Sequence, residues 1–184
     1  MPQIKRNQNT FESFFTKGTH FMTSFEKFHP VLTAHLTLDW LTQTPVKSID
    51  DLFSKPSITT AKAEKMPSKI LDTVKEINHI MRRVMNAKEL TWGITDSNSE
   101  VFVGIISLRG FDEAAKHGSI EFIIDQDHSE CLAEVVERTV RFAQDHFNFD
   151  QLSITFTNAS SQTQKDLTGL GFEVIQANQF TISI

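Results

Sequence analysis

Few residues in this chain combine a reactive side chain with a useful placement. Glu121 is one: Ser119-Ile120-Glu121-Phe122-Ile123-Ile124 reads as a buried strand, and a carboxylate held there is either a candidate general base or an ordinary charge, on the solvated face or paired with a Lys or Arg of a neighbouring strand. The strand runs toward a helix that opens at Leu132-Ala133-Glu134-Val135-Val136. A strand that meets a helix start is a common anion site, because free N–H groups and the helix dipole face the ligand. The connection here is Asp125-Gln126-Asp127-His128-Ser129-Glu130, with no glycine and three acids. Asp127 and Glu130 read as a capping pair, which consumes N–H groups that a phosphate would need. His128 is a candidate proton carrier by residue type, and its ordinary role is that of an exposed loop histidine. Cys131 stands in the first helical turn, where a thiolate is favoured. Asp127, Glu130 and Glu134 push its pKa the other way and leave it a small packed side chain. Ser160-x-x-Thr163 supplies two hydroxyls, and His35 and Asp39 sit together on an upstream strand. The seven histidines show no metal-ligand spacing, so no metal is expected.

The elements that must position these residues follow from periodicity. Leu36, Leu38 and Trp40 alternate with polar residues over Leu32–Leu41, which predicts a strand. Ser48–Phe53 predicts a short helix with Ser48 and Asp51 as its capping box. Ile70, Val74, Ile77, Met81 and Val84 recur at helical spacing within Pro67–Leu90. Thr91–Thr95 and Val101–Leu108 predict a hairpin around Asp96-Ser97-Asn98-Ser99, and Arg109–Gly118 a polar loop. After the Glu121 strand come a helix over Glu130–Phe147, a strand over Gln151–Thr157 and a short helix over Thr163–Gly169. Two final strands, Phe172–Ile175 and Gln179–Ile184, complete the order. Hairpins mixed with helical crossovers predict one mixed sheet with helices on both faces.

The chain has 184 residues and a net charge of −5, with no cluster of Lys and Arg that suggests a nucleic-acid surface. No apolar run approaches the roughly 20 residues of a membrane span, and no signal-peptide core is seen. The single cysteine precludes an internal disulfide and fits a reducing compartment, so a cytoplasmic protein is expected. Tyrosine is absent, which removes one common general acid. Residues 1–30 read as an extension ahead of a domain over 31–184. Phe11, Phe14, Phe15, Phe21, Phe25 and Phe28 crowd into it, as a strap on the domain, as a dimer or partner surface, or, less readily given only Lys5, Arg6, Lys17 and Lys27, as a membrane-surface helix.

Several stretches resemble one family when taken in order. They are Leu32-Thr33-Ala34-His35-Leu36-Thr37-Leu38, Leu90-Thr91-Trp92-Gly93-Ile94 with Val103-Gly104-Ile105-Ile106, Ser119–Asp125, and Leu167-Thr168-Gly169-Leu170-Gly171-Phe172. Together they resemble the GNAT acetyltransferase superfamily, and in detail its branch that acetylates the N-termini of ribosomal proteins. The resemblance covers roughly residues 32–176. It implies an α/β (α+β) fold with a single mixed, mostly antiparallel twisted sheet. It also implies transfer of acetyl from acetyl-CoA to a primary amine, either a protein N-terminus or a small amine. On that basis the N–H groups around Ile123 and Ile124 polarise the thioester carbonyl and Glu121 is the base. Thr163 would protonate the departing thiolate, and Ser160 would make part of a cofactor contact that the family gives to Asn. The family's Gln/Arg-x-x-Gly-x-Gly/Ala turn corresponds to Asp127–Leu132, about two residues short and without glycine. Asp127, His128 and Ser129 would then have to hold the pyrophosphate through their backbone.

Three readings stay open. The chain is an N-acyltransferase with a degenerate cofactor turn, a GNAT-fold binding or regulatory module that has lost CoA, or a protein whose cleft takes another small molecule. A V-shaped gap beside the Gln151–Thr157 strand would favour the first, and a plugged cleft the second.

Overall fold

The computed structural model describes residues 25–63, 67, 69–111 and 116–184. Nine strands form one sheet: β1 (Val31–Leu32), β2 (Leu36–Asp39), β3 (Ser57–Thr59), β4 (Glu89–Asp96), β5 (Phe102–Arg109), β6 (His117–Asp125), β7 (Gln151–Thr155), β8 (Glu173–Gln176) and β9 (Gln179–Ser183). The spatial order is β1-β2-β4-β5-β6-β7-β9-β8, with β3 set against β6. All pairings are antiparallel except β6 with β7. Four helices lie among the described residues: α1 (Val46–Phe53), α2 (Ile70–Met85), α3 (Cys131–His146) and α4 (Ser161–Gly169).

β4, β5 and β6 are buried along nearly their whole length, as strands are when helices cover both faces. Side-chain alternation separates the faces. Trp92 points toward α3, where its ring meets Phe142 edge-on at 5.1 Å. Its neighbour Glu89, on the opposite face, reaches Arg83 of α2. Phe28 joins the α3 side, and its carbonyl accepts from Trp92 Nε1 at 2.8 Å. Phe25 and Phe28 are therefore core residues. Phe11, Phe14, Phe15 and Phe21 lie outside the described residues. At Gly104 an added Cβ would lie 2.6 Å from the Ile123 carbonyl oxygen, so the close approach of β5 to β6 there depends on glycine.

Several elements differ from expectation. The first strand breaks in two, because Thr33 forms a turn in which its hydroxyl accepts from Leu36 N–H at 2.8 Å. α1 begins after Pro45 without a side-chain cap; Ser48 lies inside its first turn, and Asp51 pairs with Lys47 at 2.9 Å instead. α2 stops at Met85, where Ala87 takes a positive φ of 53°. Its buried stripe is Thr73, Ile77, Ile80 and Val84, while Ile70 and Val74 are exposed. The glycine that closes α4 is Gly171 rather than Gly169. With φ +93° it lets Gly171 N–H reach Thr168 O and Phe172 N–H reach Leu167 O, both at 3.1 Å. β3 was not anticipated, and it determines the character of the site.

Candidate active site

β6 and β7 run parallel only over His117–Ser119 and Gln151–Ser153. Beyond that point they part, and a splay opens between Glu121–Asp125 on one side and Ile154–Thr155 on the other. The chain's own residues 56–61 fill it. Ser57, Ile58 and Thr59 pair with Asp125, Ile124 and Ile123. Gln126 N–H donates to Pro56 O at 2.9 Å, and Thr60 N–H to Phe122 O at 3.1 Å. Thr60 Oγ1 accepts from Phe122 N–H at 3.0 Å. Ala61 N–H crosses to the other wall and donates to Thr155 O at 2.9 Å. The segment thus replaces the missing β6–β7 ladder and satisfies backbone groups that would otherwise be orphaned.

This corrects the expectation for the central strand. Alternation of backbone groups puts the N–H groups of Phe122 and Ile124 on the splay edge and that of Ile123 toward β5. Ile123 therefore offers the splay no donor. Ile124 faces it but is paired with Ile58. Phe122, not singled out from sequence, carries the other donor.

On the α2 face of the sheet a row of polar side chains crosses the strands. Thr91 and Ser107 hydroxyls meet at 2.8 Å, and Thr91 Oγ1 also donates to Glu89 Oε1 at 3.2 Å. Ser107 stands opposite Glu121 in register. Glu89 is gripped by Arg83 through Nε at 2.7 Å and Nη2 at 3.1 Å. Arg109 Nε lies 3.2 Å from Glu121 Oε2 and 3.4 Å from Glu89 Oε2. Lys62 Nζ lies 3.4 Å from Glu121 Oε1. None of these contacts to Arg109 Nε or Glu121 Oε1 is aligned as a hydrogen bond, so both atoms are buried without a hydrogen-bond partner. The Glu121 side chain is only 8% exposed. A cavity of about 210 Å³ lies over it, lined by Lys62 and Ala63, by Glu76, Ile80 and Arg83 of α2, and by Ile105, Ser107, Arg109 and Ile123 of the sheet.

At the far end of β6 the turn is tied by Asp125, which is buried. Its carboxylate accepts from Asp127 N–H at 3.1 Å and from Lys55 Nζ at 2.9 Å. Burial pushes the Asp125 carboxyl up, but the Lys55 ammonium and the Asp127 N–H outweigh it and hold it below the ordinary value. Gln126–His128 forms one turn of 3-10 helix capped by Asp125. α3 starts after Glu130 with no side-chain cap, so Asp127 and Glu130 do not form the expected capping pair. Ser129 N–H donates to Gln126 O at 3.3 Å and Leu132 N–H to Ser129 O at 3.2 Å. The N–H groups of Gln126, Asp127, Ser129 and Leu132 thus already donate within the chain. Burial first, then the charges of Glu130 and Glu134, push the Cys131 thiol up to about 12.

The remaining candidates are committed elsewhere. Ser160 caps α4: its Oγ accepts from Thr163 N–H at 3.0 Å and lies 2.9 Å from the Thr163 hydroxyl. Neither residue lines the cavity at Glu121. His35 is bound to Glu134 of α3 through N and Nδ1, both at 2.9 Å. Asp39 pairs with His29 at 2.7 Å. Among the described residues no group of three or more His, Cys, Asp or Glu side chains could hold a metal ion. No helix among them is long and apolar enough to cross a membrane.

Thr60, Lys62, Arg83, Glu89 and Arg109 escaped the sequence reading. One signal for the segment was available: Ile58-Thr59-Thr60 is a β-branched run just after Pro56.

The model of the Acetyltransferase (GNAT) domain matches residues 35–173. No curated protein matches the chain at a significant level. Among solved structures, a candidate ribosomal-protein-serine acetyltransferase from Vibrio cholerae superposes with a TM-score of 0.68 at 12% identity, over 84% of this chain and 97% of the other. The microcin C7 self-immunity acetyltransferase MccE, in complex with acetyl-CoA and AMP, gives 0.65 at 15% identity, over 83% and 94%. The ribosomal L7/L12 α-N-protein acetyltransferase RimL, in complex with coenzyme A, gives 0.64 at 11%, over 84% and 97%. At these identities the likeness is one of fold.

Proposed function

The chain belongs to the acetyltransferase (GNAT) domain family, and from that premise we propose that it acetylates a primary amine bound in the cavity over Glu121. One observation carries the reading: a buried carboxylate with an oxygen free of hydrogen bonds faces a cavity beside the strands that part. An acceptor amine reaches the site as an ammonium and must lose a proton before its lone pair can attack. Glu121 Oε1 is placed to take that proton, and Arg109 on Oε2 fixes the carboxylate. Acetyl-CoA, the acetyl donor of the family, does not fit the conformation described. Pro56–Ala61 occupies the splay, and the Asp125–Glu130 turn has no glycine and already donates several of its N–H groups within the chain. The structural neighbours support both acceptor classes, a protein N-terminus through RimL, an α-N-protein acetyltransferase, and a small amine through a spermidine N-acetyltransferase.

The filled splay favours a second reading, a GNAT scaffold that binds a partner without acetylating it. Release of free CoA thiol, followed with and without peptide N-termini or linear polyamines, separates the two. Amine-dependent release that falls by about 10²–10⁴ in Glu121→Gln supports the transferase. No amine-dependent release from folded protein supports the scaffold.

A further inference from the structure

We infer that Pro56–Lys62 is a removable strap that occupies the acetyl-CoA cleft and that acetyl-CoA must displace it to bind. The inference rests on the reading that the β6–β7 splay is that cleft, and it assigns the site a built-in regulator.

The strap engages both halves of the site at once. Its backbone takes the splay-edge groups of Phe122 and Gln126 and reaches Thr155 on the opposite wall. Its Thr60 hydroxyl blocks the Phe122 N–H, one of the donors on that edge. Its last residue sets a primary ammonium 3.4 Å from Glu121 Oε1, where an acceptor amine would be deprotonated. Lys62 therefore behaves as an internal stand-in for the substrate amine, while residues 56–61 stand in for the extended arm of the donor.

The attachment is built to be reversible. Ser57, Ile58 and Thr59 are all half-buried, so little apolar surface anchors the strand. The Lys62 side chain is 72% exposed and that of Lys55, which pins the near end to Asp125, is 49% exposed. Thr60, at 1% exposure, is the one polar side chain of the strap that is fully buried. Its removal costs the strapped state a hydrogen bond and leaves Phe122 N–H unsatisfied there, but it costs the open state nothing. A strapped state that dominates weakens acetyl-CoA by the fraction of molecules that are open. If about 1% are open, apparent binding is about 100-fold weaker than intrinsic binding.

Two measurements on the full-length chain test this. Calorimetry compares acetyl-CoA binding to the wild type, Thr60→Val and Ile58→Pro, the proline removing a ladder donor. Both variants should bind at least about tenfold tighter, as expected when a larger fraction is open. Hydrogen exchange of the wild type should show acetyl-CoA speeding exchange over 56–63 while protecting 120–126; this needs no variant to fold. If the wild type binds without faster exchange over 56–63, and folded variants bind no tighter, the strap is a permanent strand and the inference fails, while amine-dependent CoA release would still uphold the transferase. If the variants bind tightly yet no amine releases CoA, the strap stands and the transferase reading falls. No binding by any of the three folded proteins overturns the strap.

Discussion

Arg109 and Glu121 meet across neighbouring strands with Nε 3.2 Å from Oε2, and the same Nε lies 3.4 Å from Glu89. One guanidinium thus neutralises part of two carboxylates that are both buried. Arg109→Met should cost about 3 kcal/mol, the lower end for breaking a buried pair because the arginine keeps some solvent contact. Adding Glu121→Gln to Arg109→Met should recover about 1 kcal/mol or more, because the stranded charge is gone. A double-mutant cycle by urea unfolding checks this. Additive single effects would mean that Arg109 does not hold Glu121, and its positioning role in the proposed chemistry would go with it.

Asp125 links the strap to the turn before α3, and its titration has a definite sign. Its carboxyl lies below the ordinary value in the folded chain because Lys55 and the Asp127 N–H outweigh burial. A depressed folded value means that the stabilisation is complete above the unfolded value of about 3.9 and is lost as pH falls through the folded value. The wild type should therefore lose melting temperature more steeply than Asp125→Asn as pH drops below about 4. Glu134 shifts in the same direction, with burial opposed by Thr33 and His35, so the variant should keep a residual slope. Equal slopes in the two proteins would show that Asp125 is not paired in solution.

Ser160 and Thr163 can be separated as cap and catalyst. Ser160→Ala removes the acceptor for Thr163 N–H at 3.0 Å and should cost about 1 kcal/mol. Thr163→Val keeps that cap but deletes the hydroxyl 2.9 Å from Ser160, and should cost about 1 kcal/mol as a buried hydrogen bond is lost. Chemical denaturation gives both values. A fall in kcat for Thr163→Val with no loss of stability would return the acid role to that hydroxyl.

The parts of the fold that were legible carry long, regular signals. β4, β5, β6 and α3 each extend far enough for alternation or a helical stripe to stand out, and the last strands follow the Gly171–Phe172 closure. β3 was not legible because it is three residues long and its partner, β6, lies more than sixty residues away along the chain. For the same reason Glu121 could be placed on the central strand and a pairing with a neighbouring-strand Lys or Arg weighed, while the cations themselves could not be named. Arg109 comes from the adjoining strand, and Lys62 from a loop that only the tertiary fold brings near. The acids of the turn were legible, but their partners were not: Asp125, held by Lys55 and the Asp127 N–H, ties the turn, and Asp127 and Glu130 form no capping pair.

Cys131 reports on the same turn. With the thiol pushed up to about 12 by burial and by Glu130 and Glu134, only about one molecule in ten thousand carries a thiolate at pH 8, against about one in four for an ordinary cysteine. Thiol-exchange reagent should therefore label the native chain more than a thousandfold more slowly than the denatured chain, since the thiolate is the reacting form and the sulfur is also buried. Stopped-flow absorbance at pH 8, with and without denaturant, measures the ratio. Fast native labelling would mean that the start of α3 is neither closed nor dominated by its acids. The Asp125–Glu130 turn would then be free to rearrange around an anion, and the strap would no longer be the main barrier to acetyl-CoA.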